Sequence, residues 1–110
     1  MNKIERRRLV WKNLNEFFDI SSRLDTNVVK LNTNNSLEHE LKKAEIAFNC
    51  IKDGFTIITE GKLKSGKRPD VTILDLNIPI VYEVAKSETE DSLIQKEKDY
   101  KGMKVIKVRI

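Results

Sequence analysis

Few side chains in this chain are equipped for chemistry, and three carboxylates stand out among them by position. Glu83 sits in Ile-Val-Tyr-Glu-Val-Ala, residues 80–85, where a strand covered on both faces would carry an apolar residue. Burying a carboxylate there costs several kcal/mol unless a cation or hydrogen bonds offset it. Asp70 follows Pro69 and opens the apolar run 71–76, and because Pro-Asp is ordinary turn chemistry its meaning comes from its neighbours. Glu40 is selected by helical geometry. At about 100° per residue, Leu37, Leu41, Ala44, Ala47, Phe48 and Ile51 form one apolar stripe, and Glu40 falls within it. Glu38 and Glu45 lie toward the polar flanks. A first-turn acid is also favoured by the helix dipole, which is the purely structural reading of Glu40, and Glu38 is its substitute as the helix acid. Carboxylates gathered from such positions suit a hard divalent cation such as Mg²⁺, which takes oxygen ligands, waters and phosphate.

Other reactive groups carry less. His39, the only histidine, falls off the stripe by the same angular count and is expected to be exposed rather than to act as a general base. Cys50 is the only cysteine, so neither an internal disulfide nor a thiolate zinc cluster is available, and its helical setting reads as core or helix flank. Two basic clusters are present. Arg6-Arg7-Arg8 reads as a solvated flank or a phosphate contact, and Lys62, Lys64, Lys67 and Arg68 surround Ser65-Gly66 directly before Asp70. The net charge of +4 and pI near 9.2 suit a polyanionic partner, and the second cluster stands where it would grip phosphates beside the acids.

At 110 residues the chain is read as a single domain over 1–110. Hydrophobic residues make up 39% and charged residues 35%, enough apolar material for one core and the composition of an ordinary soluble domain. No apolar run approaches the ~18 residues of a membrane span, and the basic start lacks a signal peptide's apolar stretch, so an intracellular, cytoplasmic protein without a membrane partner is expected.

The elements that must position the acids follow from periodicity and punctuation. Val10, Trp11, Leu14, Phe17 and Phe18 recur at helical spacing and predict an N-terminal helix within 1–20. Asparagine and serine mark 21–35 as a connector with a short extended piece around Val28, Val29 and Leu31. Ser36 or Asn35 caps a second helix, with Glu38 as a capping-box partner, and Gly54 stops it. Three β-branched runs, 55–60, 71–76 and 80–85, predict an antiparallel meander. A helix over about 88–101 and a last strand over 105–110 follow, and that crossover predicts a strand parallel to its neighbour.

In this order, Glu40 on a helix, Arg68-Pro69-Asp70-Val71 after a basic loop, and Tyr82-Glu83-Val84-Ala85-Lys86-Ser87-Glu88 resemble the PD-(D/E)XK nuclease core over 36–110. The resemblance implies a restriction-endonuclease-like αβββαβ core of the α/β class, with a mixed central sheet and an extra N-terminal helix. It implies an enzyme hydrolysing phosphodiester bonds with Mg²⁺ or Mn²⁺, on DNA rather than RNA. Asp70 and Glu83 would bind the metal with Glu40 assisting, and Lys62, Lys64, Lys67 and Arg68 would bind nucleic acid. One departure is clear: the family places lysine two residues after the second acid, and here that position is Ala85. Lys86 would face away in a regular strand and could serve only through a bulge. Lys96, with Tyr100 a turn later, resembles the lysine that some branches carry on the following helix; otherwise it is a solvated charge. With no lysine in place, the same fold would be a catalytically degenerate nucleic-acid-binding module. The small size suggests a homodimer that reads two strands.

Overall fold

Asn2 accepts the backbone N–H of Glu5 at 2.9 Å and so caps helix α1, Lys3–Phe17, in the computed structural model, which describes residues 1–86 and 100–110. The inner side of α1 is formed by Asn13 and Leu14, with Val10 and Phe17 half-buried, and Phe18 closes the helix fully buried. Trp11, expected on that side, is 66% exposed because it lies about 100° round the helix from Val10, past the edge of the buried face. Asn13 takes part in the core because its amide has partners: Nδ2 donates to the carbonyls of Leu74 (2.7 Å) and Leu76 (2.8 Å).

The connector runs along the sheet rather than away from it. Thr26 forms a bridge with Ile58, Asn27 exchanges hydrogen bonds with Ile57, and Thr59 Oγ1 binds the Val28 carbonyl and the Lys30 N–H. An edge that would otherwise present bare backbone groups is therefore covered.

Helix α2, Leu37–Lys52, is capped by Ser36, whose hydroxyl accepts the His39 N–H, and ends before Gly54 at φ 89°, a left-handed conformation suited to glycine. Four strands follow: β1 Ile57–Thr59, β2 Val71–Ile73, β3 Ile80–Ala85 and β4 Lys104–Arg109, in sheet order β1-β2-β3-β4. The β1–β2 and β2–β3 pairs are antiparallel and β3–β4 is parallel, so the fold is α/β with a mixed sheet, as expected. Strand β1 is shorter than its apolar run. The buried Asp75 carboxylate takes the Thr56 N–H at one end, and Glu60 adopts a left-handed φ of 55° at the other. The helix expected over 88–101 falls almost wholly outside the described residues.

Strand alternation sorts the core into two layers. Ile57, Val71 and Ile73 pack against Ala47 and Cys50 of α2, whereas Ile58, Leu74 and Val81 pack with Leu14, Phe18 and Tyr100. Cys50 is thus a core residue. The orientation of α2 overturns one expectation. Its buried residues are Glu40, Lys43, Ala47 and Cys50, while Leu37, Leu41 and Phe48 are exposed. Only Glu40 and Ala47 of the predicted stripe reach the interior, because polar partners waiting there make the charged face the better one to bury. Among the described residues, no helix is long and apolar enough to cross a membrane.

Candidate functional site

Register brings the two strand acids together. The β2–β3 ladder ends at the pair Val71–Tyr82, and the next residue on each side, Asp70 just before β2 and Glu83 within β3, brings both acids to that end of the sheet. The Val84 N–H donates to Asp70 Oδ2 at 2.8 Å, which fixes that carboxylate at the end of β2. Tyr100 donates its hydroxyl proton to Glu83 Oε1, reaching it from the layer that holds Val81. Asp70 is 6% and Glu83 9% exposed, on a sheet whose β3 is central, with β2 and β4 on either side. An edge-strand explanation of Glu83 is thereby removed. Two like charges gathered at one sheet end are destabilising unless a cation or donors lie between them.

The next strand adds a charge of opposite sign. In the parallel β3–β4 ladder Glu83 is the register partner of Lys107, so these two lie side by side on one face of the sheet, beside the ladder end that Asp70 precedes. Lys107 was not singled out from the sequence. The signal that marks Glu83 would have found it, because Lys107 stands between Ile106 and Val108 in an otherwise apolar run.

On the α2 side the acids are linked through His39. Its Nδ1 is 2.6 Å from Glu40 Oε2, and its Nε2 is 3.5 Å from Asp70 Oδ2. The expectation that His39 is exposed is therefore corrected: its side chain is only 16% exposed, since the rotated α2 turns it toward the sheet end. Glu40 is held from both oxygens. Lys43 Nζ (2.6 Å) and the Asn32 N–H (2.5 Å) meet Oε1, while His39 and the Asn35 amide (3.2 Å) meet Oε2. Burial alone would raise the Glu40 pKa. The bonds from Lys43, the Asn32 backbone, His39 and Asn35 outweigh it and bring it from 4.5 down to about 2. Lys43, fully buried, also reaches Glu60 Oε1 at 3.3 Å. Sequence reasoning passed over Lys43 and Glu60, since their pairing joins a helix to the end of a strand.

Predicted cations distribute unevenly. The loop between β1 and β2 turns at Gly66, with φ 91°, and is anchored by buried Leu63, which bridges Phe18. Lys64, Lys67 and Arg68 are exposed on this loop, at the same end of the sheet as Asp70 and Glu83. Lys62 is half-buried and lies 3.8 Å from Asp19, so it is partly engaged in holding the loop to the end of α1. Arg6 is likewise structural, donating to the Gly54 carbonyl and lying 3.9 Å from Asp75. Lys86 is exposed just past β3, whose pairing with β4 runs without a bulge from Ile80 to Ala85, and it forms an ion pair with neither acid. Lys96 lies outside the described residues.

As a set of hard oxygen donors, Asp70 and Glu83 fit a Mg²⁺ or Mn²⁺ ion. Both contacts made to the Asp70 carboxylate by described residues fall on Oδ2. Glu40 has its carboxylate filled by protein donors, and among the described residues no three His, Cys, Asp or Glu side chains are gathered as a ready-made metal cage. Compared with known proteins, the chain matches no protein-family model, and no curated sequence or solved structure is significantly similar to it.

Proposed function

We propose that the chain is a metal-dependent nuclease hydrolysing phosphodiester bonds in DNA, on a restriction-endonuclease-like fold. The observation that carries this reading is the gathering of Asp70, just before β2, and the Glu83–Lys107 pair of β3 and β4 at the sheet end that also bears Lys64, Lys67 and Arg68. Helix, antiparallel meander and parallel last strand occur in the order such a fold requires.

Asp70 and Glu83 would hold the ion, with Tyr100 and the Val84 N–H orienting them. A bound Mg²⁺ or Mn²⁺ supplies Lewis acidity and a more acidic water at neutral pH. Lys107 adds a positive charge beside Glu83, where it favours the anionic form of an attacking water and offsets charge building on the phosphoryl oxygens. It stands in for the lysine absent at Ala85, a role for which Lys96 and Lys86 compete. Glu40 assists indirectly, by fixing His39 against Asp70 and by holding Lys43. Lys64, Lys67 and Arg68 bind backbone phosphates, which positions the substrate without reading its sequence.

A second reading keeps the fold and the basic loop without the chemistry, and the filled carboxylate of Glu40 favours it. Incubating labelled linear, nicked, single-stranded and four-way-junction DNA with Mg²⁺, Mn²⁺ or EDTA separates the two. Metal-dependent, EDTA-sensitive cleavage is expected; binding without cleavage of any substrate would establish the module instead.

A further inference from the structure

Helix α2 leaves its apolar face without a partner. Leu37 (75%), Leu41 (61%) and Phe48 (65%) are well exposed, and Leu41 and Phe48 form one continuous surface with Val29, Ala44 and Ile51. Part of it is a groove of about 730 Å³ bordered by Glu45 and Lys52. Contiguous apolar surface of this kind on a folded domain marks an interaction site.

We infer that this face pairs with a second copy of the same chain, α2 against α2 in antiparallel orientation. The stripe is self-complementary about its midpoint. A two-fold axis passing between Ala44 and Glu45 sets Leu41 level with the twin's Phe48, and Leu37 and Glu38 level with the twin's Lys52 and Ile51. Ala44, the smallest side chain of the stripe, then falls at the axis, where the two backbones come closest.

Charge selects the same arrangement. The first turn of α2 is acidic and its last turn carries Lys52, and Glu38 lies on the same flank of the stripe as Lys52. Antiparallel pairing brings Glu38 to the twin's Lys52 at both ends, with the two helix dipoles opposed. A parallel pair would set like charges against each other. Glu45 is the one like charge the axis brings near its own copy, and Lys42 neutralises it from 3.3 Å on the same helix. This inference stands apart from the nuclease reading, since its contacts are made by the exposed Leu41 and Phe48 and use none of Asp70, Glu83, Glu40 or Lys107.

Sedimentation equilibrium of the full chain from micromolar to millimolar concentration tests it. A monomer–dimer equilibrium is expected in the wild type, with Leu41→Glu and Phe48→Glu each weakening it by roughly a hundredfold or more, as for a central apolar contact. Circular dichroism should not change, and neither should the melting temperature at concentrations where the wild type is monomeric, because both side chains are exposed in the single chain. Glu38→Lys and Lys52→Glu should each weaken the dimer several-fold, and the two together should restore it, which only an antiparallel pair allows. A monomer throughout the range, a dimer untouched by both apolar substitutions, or a charge exchange without rescue would each overturn the inference.

Discussion

Replacing Lys43 by methionine removes a charge while keeping an unbranched side chain of similar length in the same buried space. The Lys43 ammonium lies 2.6 Å from Glu40 and 3.3 Å from Glu60, and no part of its side chain is exposed. Its loss leaves the Glu40 carboxylate, 8% exposed, without the buried ammonium that pairs with it. Breaking a buried pair by removing one partner costs about 3–5 kcal/mol. Three other donors remain on Glu40, which places the effect near the lower end, about 3 kcal/mol. With a urea m-value of about 1.5 kcal/mol/M, that is a fall of roughly 2 M in the unfolding midpoint. Far-UV circular dichroism in a urea series at neutral pH measures it. The double variant Lys43→Met, Glu40→Gln should recover much of the loss, since a buried pair replaced as a whole is far less costly than one broken. A midpoint shift corresponding to under ~1 kcal/mol, or a double variant no better than the single, would refute the reasoning.

Further outcomes follow from the same contacts. Glu40 titrates at about 2 in the folded protein against an ordinary 4.5, so its stabilisation is complete above the unfolded value and lost as pH falls toward 2. Urea midpoints measured across that acid range should decline by an amount worth about 3 kcal/mol from this group, and Glu40→Gln should lose that component of the pH dependence. Lys107→Ala should lower turnover of metal-dependent cleavage by roughly ten- to a hundredfold, exceeding the effect of Lys86→Ala, and Ala85→Lys added to it should recover part of the loss, as single-turnover kinetics would report. Neutralising Lys64, Lys67 and Arg68 together should weaken DNA binding for all sequences and flatten its dependence on salt in fluorescence titrations. Gly61→Ala places a methyl 2.8 Å from Ile58 Cδ1 and 2.9 Å from Phe18 Cε1, and should cost about 1–3 kcal/mol in thermal or urea unfolding.

Much of the fold was legible because it is encoded locally. Ser36 before the second helix, Gly54 after it and the β-branched runs around the Asn77–Pro79 turn each specify their own element. The antiparallel meander followed from three successive β-branched runs, and the parallel last strand from the crossover that precedes it. Glu83 was legible for the same reason: a charge within a short apolar run needs no knowledge of distant residues. The face α2 buries was not legible. An apolar stripe predicts burial, yet Glu40 and Lys43 occupy the interior because Glu60, Asn32 and Asn35 meet them there, from a strand end and a connector whose positions no helical pattern contains. His39 was misplaced by the same rotation. Lys107 carries the same local signal, a charge between Ile106 and Val108, but its pairing with Glu83 was not legible, since the two lie 24 residues apart in sequence and are adjacent only in register.

Calorimetric titration of the protein with Mn²⁺ tests the central claim most directly, since it asks whether Asp70 and Glu83 act as one cation site irrespective of substrate. Saturable binding is predicted for the wild type and for Glu38→Gln, with loss in both Asp70→Ala and Glu83→Ala while each variant stays folded. Absence of binding in the wild type, or binding undiminished by either substitution, would contradict the account.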